Sequence, residues 1–319
     1  MRKLAFCLPA VLCLGVLVAQ EAETVLKVDV NVVNILFSVR DKKGALVPNL
    51  QKEDFTVLED GKEQTIKHFT RESDLPLTLG LLVDVSGSQR NLIGVEKQAA
   101  SEFFSKVLRP KDMAFLISFG AEAELLQDST NSTKLLRAGL DGLRENSGVG
   151  GFHPGPVPTI SKTRGTILYD AVYLAADEKL KNEVGRKAIV IITDGVDMGS
   201  RQTLREAIDA AHRSDAIIYS IQYLDQSAYG YGGFGYGGGG DGDLKKMSEE
   251  TGGRMFRVDR KHTLDDIFRD IQEEMRTQYS IAYTPAESKN DGFRKLEIKT
   301  PKKDLKVQAR KGYFASSVK

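Results

Sequence analysis

Hydrophobic and polar positions alternate over residues 25–39 (Val-Leu-Lys-Val-Asp-Val-Asn-Val-Val-Asn-Ile-Leu-Phe-Ser-Val), the period-two signature of a half-buried strand. Asp41-Lys-Lys-Gly44 reads as a turn, and short strands are expected over 54–61 and 64–69. After Pro76 the pattern changes. Residues 77–83 are continuously apolar, as in a strand buried on both faces of a parallel sheet. Residues 93–108 have helical spacing, with Val95, Ala99, Phe103, Phe104 and Val107 on one side and Pro110 just beyond. Further strands are expected over 113–119, with a short hairpin partner at 123–126, and over 188–193, 216–223 and 254–258. Helices are expected over 132–143, 166–180, 204–212, 244–250 and 264–276. This alternation predicts an α/β fold: a doubly wound, mainly parallel sheet flanked by helices. The tail reverts to strands over 278–283, 295–299 and 305–310. Neither terminal β segment is large enough to stand alone, so the two are expected to pair into one small satellite sheet. The organisation is then a leader over 1–22, an N-terminal β segment over 23–74, the α/β domain over 75–277 and a C-terminal β segment over 278–319.

Composition narrows the class. The chain has 319 residues, 41% hydrophobic and 28% charged, and its formal net charge of +1 gives no bulk attraction to nucleic acid or an anionic membrane. Residues 1–22 read as a secretory signal, with Arg2 and Lys3 leading an apolar stretch and Ala19 or Ala22 as the small residue for cleavage. The stretch is shorter than the roughly 18–20 residues a spanning helix needs, and no later segment resembles a membrane span. Cys7 and Cys13 both lie within it. The mature product is thus expected to be exported, soluble and free of thiols, which excludes disulfides, cysteine nucleophiles and Cys-based zinc sites.

The candidate chemistry gathers at strand ends. The apolar strand runs into Asp84-Val-Ser-Gly-Ser88, and a second one, Ile189-Val-Ile-Ile-Thr-Asp-Gly195, delivers Asp194 to the same edge. Thr166 opens a helix behind Gly165. Open α/β sheets bind ligands at this edge, so Asp84, Ser86, Ser88, Thr166 and Asp194 are expected to converge. Oxygen-only donors suit a hard divalent cation, Mg²⁺ first, with Mn²⁺ or Ca²⁺ as alternatives. With two carboxylates among the five donors, a bound ion stays under-neutralised and accepts one more anionic ligand, which a partner's Asp or Glu supplies.

Asp84-x-Ser86-x-Ser88, Gly165-Thr166-x-Leu168-Tyr169-Asp170 and Thr193-Asp194-Gly195 resemble the metal-ion-dependent adhesion site of von Willebrand factor type A domains, over about residues 75–277. The resemblance implies that the five residues coordinate the ion directly or through water. The flanking Leu50-x-x-Glu-Asp-Phe-x-Val-x-Glu-Asp-Gly61, Gln278-Tyr279-x-x-x-Tyr283 and Arg310-Lys-Gly-Tyr313 resemble the exported von Willebrand-A-related proteins of acidobacteria, which implies a periplasmic or extracellular bacterial protein.

Two loops are expected to border the site. Residues 229–240 are Gly-rich and carry Tyr229, Tyr231, Phe234 and Tyr236, residue types that serve adaptable binding loops. The Gly-x-Gly-x-x-Gly they contain follows a late strand and does not read as a dinucleotide loop. Residues 148–158 carry His153, read as an exposed polar group at the partner-facing edge rather than a general base. Asp241 and Asp243 read as solvated loop acids, and the basic run 294–311 as the outward positions of edge strands. No His-Glu-x-x-His, nucleophile elbow or Walker A pattern is present, so an enzyme is not expected. The alternative to an adhesion-type module is an envelope scaffold in which the metal is only structural.

Overall fold

The computed structural model describes residues 32–71, 75–146, 165–225, 240–285 and 292–315. The leader-like segment and both bordering loops, with His153, Tyr229, Tyr231, Phe234 and Tyr236, lie outside the described residues. Four strands precede Pro76: β1 (Val33–Asp41), β2 (Thr56–Glu59), β3 (Lys62–Gln64) and β4 (His68–Arg71). The apolar run then forms β5 (Leu77–Asp84), buried along its whole length. There follow α1 (Ile93–Val107), β6 (Met113–Phe119), β7 (Ala123–Thr130), α2 (Thr133–Asp141), α3 (Leu168–Tyr173), β8 (Arg186–Thr193), α4 (Leu204–Ser214), β9 (Ala216–Gln222), α5 (Asp241–Thr251), β10 (Met255–Arg257) and α6 (Leu264–Arg276). The chain closes with β11 (Tyr279–Tyr283), β12 (Phe293–Lys299), β13 (Leu305–Ala309) and β14 (Gly312–Phe314).

Six strands make the central sheet in the order β10-β9-β8-β5-β6-β7, parallel except for β7, which returns antiparallel beside β6. One face packs on α1, α2 and α6, the other on α3, α4 and α5, which is why the inner strands are apolar on both faces. The helices begin where their sequences cap them. Thr203 with Glu206 and Thr263 with Asp266 form capping boxes at α4 and α6, and Ser132 caps α2. The expected helix over 166–180 is α3 continued by a π-helical stretch, Leu174–Leu180.

The buried face of α1 differs from the one read off the sequence. Glu96, Ala99, Ala100, Phe103, Phe104 and Val107 point inward, whereas Val95 is 51% exposed. The helix is rotated by one position at its start, and a carboxylate occupies the place assigned to valine.

The terminal segments form two sheets where one was expected. The orders are β13-β1-β11-β4 and β14-β12-β2-β3, every pairing antiparallel and each sheet built from both ends of the chain. A sheet with one apolar face must cover it. Ile35, Phe37, Tyr279 and Ile281 of the first sheet accordingly share a core with Val57, Leu296 and Ile298 of the second. Phe37 meets Phe55 edge-on at 5.0 Å and stacks on Tyr279 at 5.3 Å. The Tyr279 hydroxyl donates to Val47 O at 2.5 Å and accepts from Leu50 N at 3.0 Å.

The sandwich is locked by a buried acid. Glu59 of β2 accepts from Arg294 Nη1 at 2.8 Å, from the Tyr283 hydroxyl at 2.6 Å and from the Tyr313 hydroxyl at 2.9 Å. Arg294 is therefore an inward residue of β12, which lies between β14 and β2; reading it among solvent-facing edge positions is corrected by this pairing. A second buried acid joins the sandwich to the α/β layers. Glu274 of α6 is fully buried, pairs with Arg40 of β1 and accepts from Ser38 Oγ at 3.2 Å and from the Tyr219 hydroxyl at 3.4 Å. His212 of α4 is buried edge-on to Phe293, and burial pushes its pKa down to about 4.

Removing one partner of a buried ion pair strands the other, at a typical cost of roughly 3–5 kcal/mol. Glu59→Ala is expected to lower stability by that amount in chemical denaturation, whereas Glu63→Ala on exposed β3 changes it by less than about 0.5 kcal/mol.

Candidate metal centre

β5 and β8 are neighbours at the middle of the sheet, and the chain leaves them in opposite directions, from β5 to β6 and from β8 to β9. A switch point of this kind opens a crevice at the C-terminal strand ends. Asp84 is the last residue of β5, and Thr193-Asp194 leave β8 beside it.

Asp84 has no exposed surface. Thr193 Oγ1 donates to its Oδ2 at 2.6 Å, and Ser86 N donates to its Oδ1 at 2.9 Å. Ser86 Oγ lies 3.1 Å from Ser88 Oγ, which donates to Asp194 Oδ2 at 2.6 Å. Val196 N reaches Asp194 Oδ1 at 3.2 Å. Four of the five candidate ligands are thus joined in one hydrogen-bonded chain. The backbone brings the fifth to the same edge. Thr166 is buried, its carbonyl accepts from Met198 N at 2.9 Å, and Ile167 N donates to Gly120 O, just past β6, at 2.9 Å. Asp170 fixes this segment to the loop after β8 by accepting from Arg201 N at 2.9 Å and Gln202 N at 2.8 Å.

Glycine is required where that loop turns. Gly195 has φ +94°, and a Cβ on Gly240 would stand 2.1 Å from Gly195 O. Asp241 and Asp243 are engaged rather than solvated. Asp241 pairs with Arg257 and Gln222, and Asp243 accepts from the Tyr169 hydroxyl at 2.6 Å.

The electrostatics follow from burial. Loss of solvent and the neighbouring Asp194 charge push the Asp84 carboxyl up to about 7, against the pull of its Thr193 and Ser86 hydrogen bonds. Among the described residues no Lys or Arg forms an ion pair with Asp84. A divalent cation is the counter-charge this donor set fits: hard oxygen atoms, two of them acidic, three of them hydroxyls.

Two residues of this region have no counterpart in the sequence reading. Gln89 follows the Ser88 turn and Glu96 opens α1; both are fully buried. Gln89 Nε2 donates to Tyr223 O at 3.1 Å, while Gln89 Oε1 and both Glu96 carboxylate oxygens are without hydrogen-bond partners. The signal that would have found Glu96 is its place in the 96–99–103–107 helical stripe.

No family model matches the chain, and no curated protein matches it. Among solved structures it is similar to the conserved hypothetical protein BatB from Bacteroides thetaiotaomicron, at 17% identity over 62% of this chain and 97% of that one, with a TM-score of 0.44. It is similar to the vWF domain of the type V pili tip protein Mfa5 from Porphyromonas gingivalis, at 13% identity over 63% and 95%, with a TM-score of 0.45. Proximal thread matrix protein 1 from the mussel byssus matches at 12% identity over 68% of this chain and 51% of that one, with a TM-score of 0.47.

A carboxyl raised to about 7 in the fold and near 3.9 unfolded holds its proton longer when folded. Its contribution to stability is full below pH 4 and is lost as pH rises to about 7, on the order of 4 kcal/mol in all. His212 titrates in the opposite sense over the same window, so the effect is read as a difference. In chelator, Asp84→Asn is expected to match the parent near pH 4 and to exceed it increasingly toward pH 7.5. Parallel curves in urea denaturation count against the buried-carboxylate account.

Proposed function

We propose that this chain is an exported, non-enzymatic binding module that holds a divalent cation at the β5–β8 edge and captures a carboxylate of a protein partner. The observation that carries the reading is Asp84, fully buried, facing Asp194 and tied to it through Ser86 and Ser88. Mg²⁺ is the first choice, with Mn²⁺ or Ca²⁺ as alternatives. Asp84, Ser86, Ser88, Thr166 and Asp194 would hold it, directly or through water, as their resemblance to the metal-ion-dependent adhesion site implies. The ion would supply a Lewis-acidic position open to an anionic oxygen. Among the described residues no group of three or more His, Cys, Asp or Glu side chains gathers as a metal cluster. The hydroxyl-rich donor set therefore leaves positive charge for a partner's acid to neutralise.

The surroundings favour a protein ligand. Met198, 71% exposed, adjoins the Thr166 segment and offers an adaptable apolar contact beside the polar centre. Ser88 Oγ is committed to Asp194, and the described histidines lie elsewhere: His68 on β4, His212 buried on α4, His262 against Asp270. Among the described residues no helix is long and apolar enough to cross a membrane. Export rests on the leader-like residues 1–22.

Titration calorimetry and thermal unfolding test the reading together. Mg²⁺ at 100 times its Kd is expected to add about 2.7 kcal/mol to the parent and nothing to Asp84→Ala. Capture of a partner from an envelope extract is expected to disappear in chelator and in Asp84→Ala. Capture that persists in either refutes the metal bridge, and an ion that stabilises the fold while capture is unchanged makes the metal structural.

A further inference from the structure

The first turn of α1 carries an acid that nothing in the ligand motif explains. Backbone bonds wind the chain tightly from the ligand turn to it: Gln89 N to Ser86 O at 2.9 Å, Leu92 N to Gln89 O at 2.8 Å and Glu96 N to Leu92 O at 3.0 Å. Glu96 is therefore held three hydrogen-bonded turns beyond Ser86, on the inward face of the helix. Its side chain is fully buried, and neither carboxylate oxygen has a hydrogen-bond partner. The neighbouring Gln89 Oε1, also buried, is equally unpartnered. Three buried acceptor atoms without donors form an arrangement that a fold avoids unless something polar comes to sit among them. Burial pushes the Glu96 carboxyl well up and the Asp84 charge adds to it; burial likewise raises Tyr223, with Glu96 as the next cause.

Other buried acids of this protein are fully engaged. Glu59 has an arginine and two tyrosine hydroxyls, and Asp112 accepts from Leu77 N at 2.9 Å and Arg109 N at 2.9 Å. Glu96 has no equivalent. Among the described residues no three His, Cys, Asp or Glu side chains gather as a metal cluster, so Glu96 is not read as a direct ligand.

We propose that Glu96 is a positioning residue of the cation site, a third carboxylate that works with Gln89 through buried water to orient the ion's hydration and balance its charge from beneath. This rests on the cation reading given above. It also revises the charge count at the edge. Three internal carboxylates hold the cation more tightly than two, and they moderate its demand for an external acid.

The test uses the full chain, with Mg²⁺ and Mn²⁺ titrated into the parent, Glu96→Gln, Glu96→Met and Asp84→Ala. Outer groups of this kind typically change metal affinity 10- to 100-fold. Glu96→Gln and Glu96→Met are both expected to weaken the Kd for Mg²⁺ about tenfold, with a metal-free Tm equal to or above the parent's. A purely structural acid would show the reverse, a lower metal-free Tm with the Kd unchanged. A Kd within twofold of the parent in both variants, while Asp84→Ala abolishes binding, overturns the role of Glu96 and leaves the cation site standing. If the parent itself binds neither ion, the cation reading fails, and this inference fails with it.

Discussion

The structure depends on keeping Asp84 ionisable at the end of a strand with no access to water. An isolated buried carboxylate is costly, and here a second one, Asp194, ends the adjacent strand. The local architecture reduces that cost without removing it. Thr193 Oγ1 and Ser86 N each satisfy one Asp84 oxygen, and the Ser86–Ser88–Asp194 hydroxyl chain spaces the two acids apart. Those contacts require β5 and β8 to be adjacent, parallel and in fixed register, with Val83 opposite Ile192. The sheet order and the left-handed turn at Gly195 follow from the same requirement.

Buried acids in this protein fall into two kinds. Glu59 and Glu274 each meet an arginine and a tyrosine hydroxyl, and both fasten layers together: the first joins the two sheets of the sandwich, the second ties the sandwich to α6 and β9. Asp84 and Glu96 have no such cation beside them. The difference is chemical as well as spatial. An acid held by a fixed guanidinium is already neutralised, whereas a buried acid held by hydroxyls or by nothing is pushed toward its protonated form.

Much of this was legible in the sequence because strand ends are legible. A continuous apolar run that stops at Asp-x-Ser-x-Ser, and another that stops at Thr-Asp-Gly, mark buried strands and place their polar ends on one edge without any need to know the packing. The misses share a cause. Reading Val95 as inward and passing over Glu96 counts polarity as exposure, and the same assumption puts Arg294 on the surface of a strand that is interior to its sheet. Helical spacing alone fits either α1 face at its first turn; only packing into the core shared with α2, α6 and the sheet chooses between them. The division of the satellite into two sheets was hidden for a different reason. Alternation gives the face of each strand but says nothing about which long-range partner it takes.

The sandwich and the site occupy opposite ends of the parallel strands, and this explains how both can exist in one small unit. β4 precedes β5 in the chain, and α6 hands over to β11 at the N-terminal end of the strands. Arg186, at the first residue of β8, donates to Leu75 O and to Met275 O, while Arg310 of the C-terminal segment pairs with Asp215 just before β9. Every one of these attachments is at an N-terminal strand end. Among the described residues, turns and the starts of helices and of β7 follow the C-terminal ends, where Asp84 and Asp194 lie. The attachments of the sandwich are therefore separate from the proposed cation site. Among the described residues, the ion pairs of Arg294, Arg40 and Arg310 involve none of the five candidate ligands.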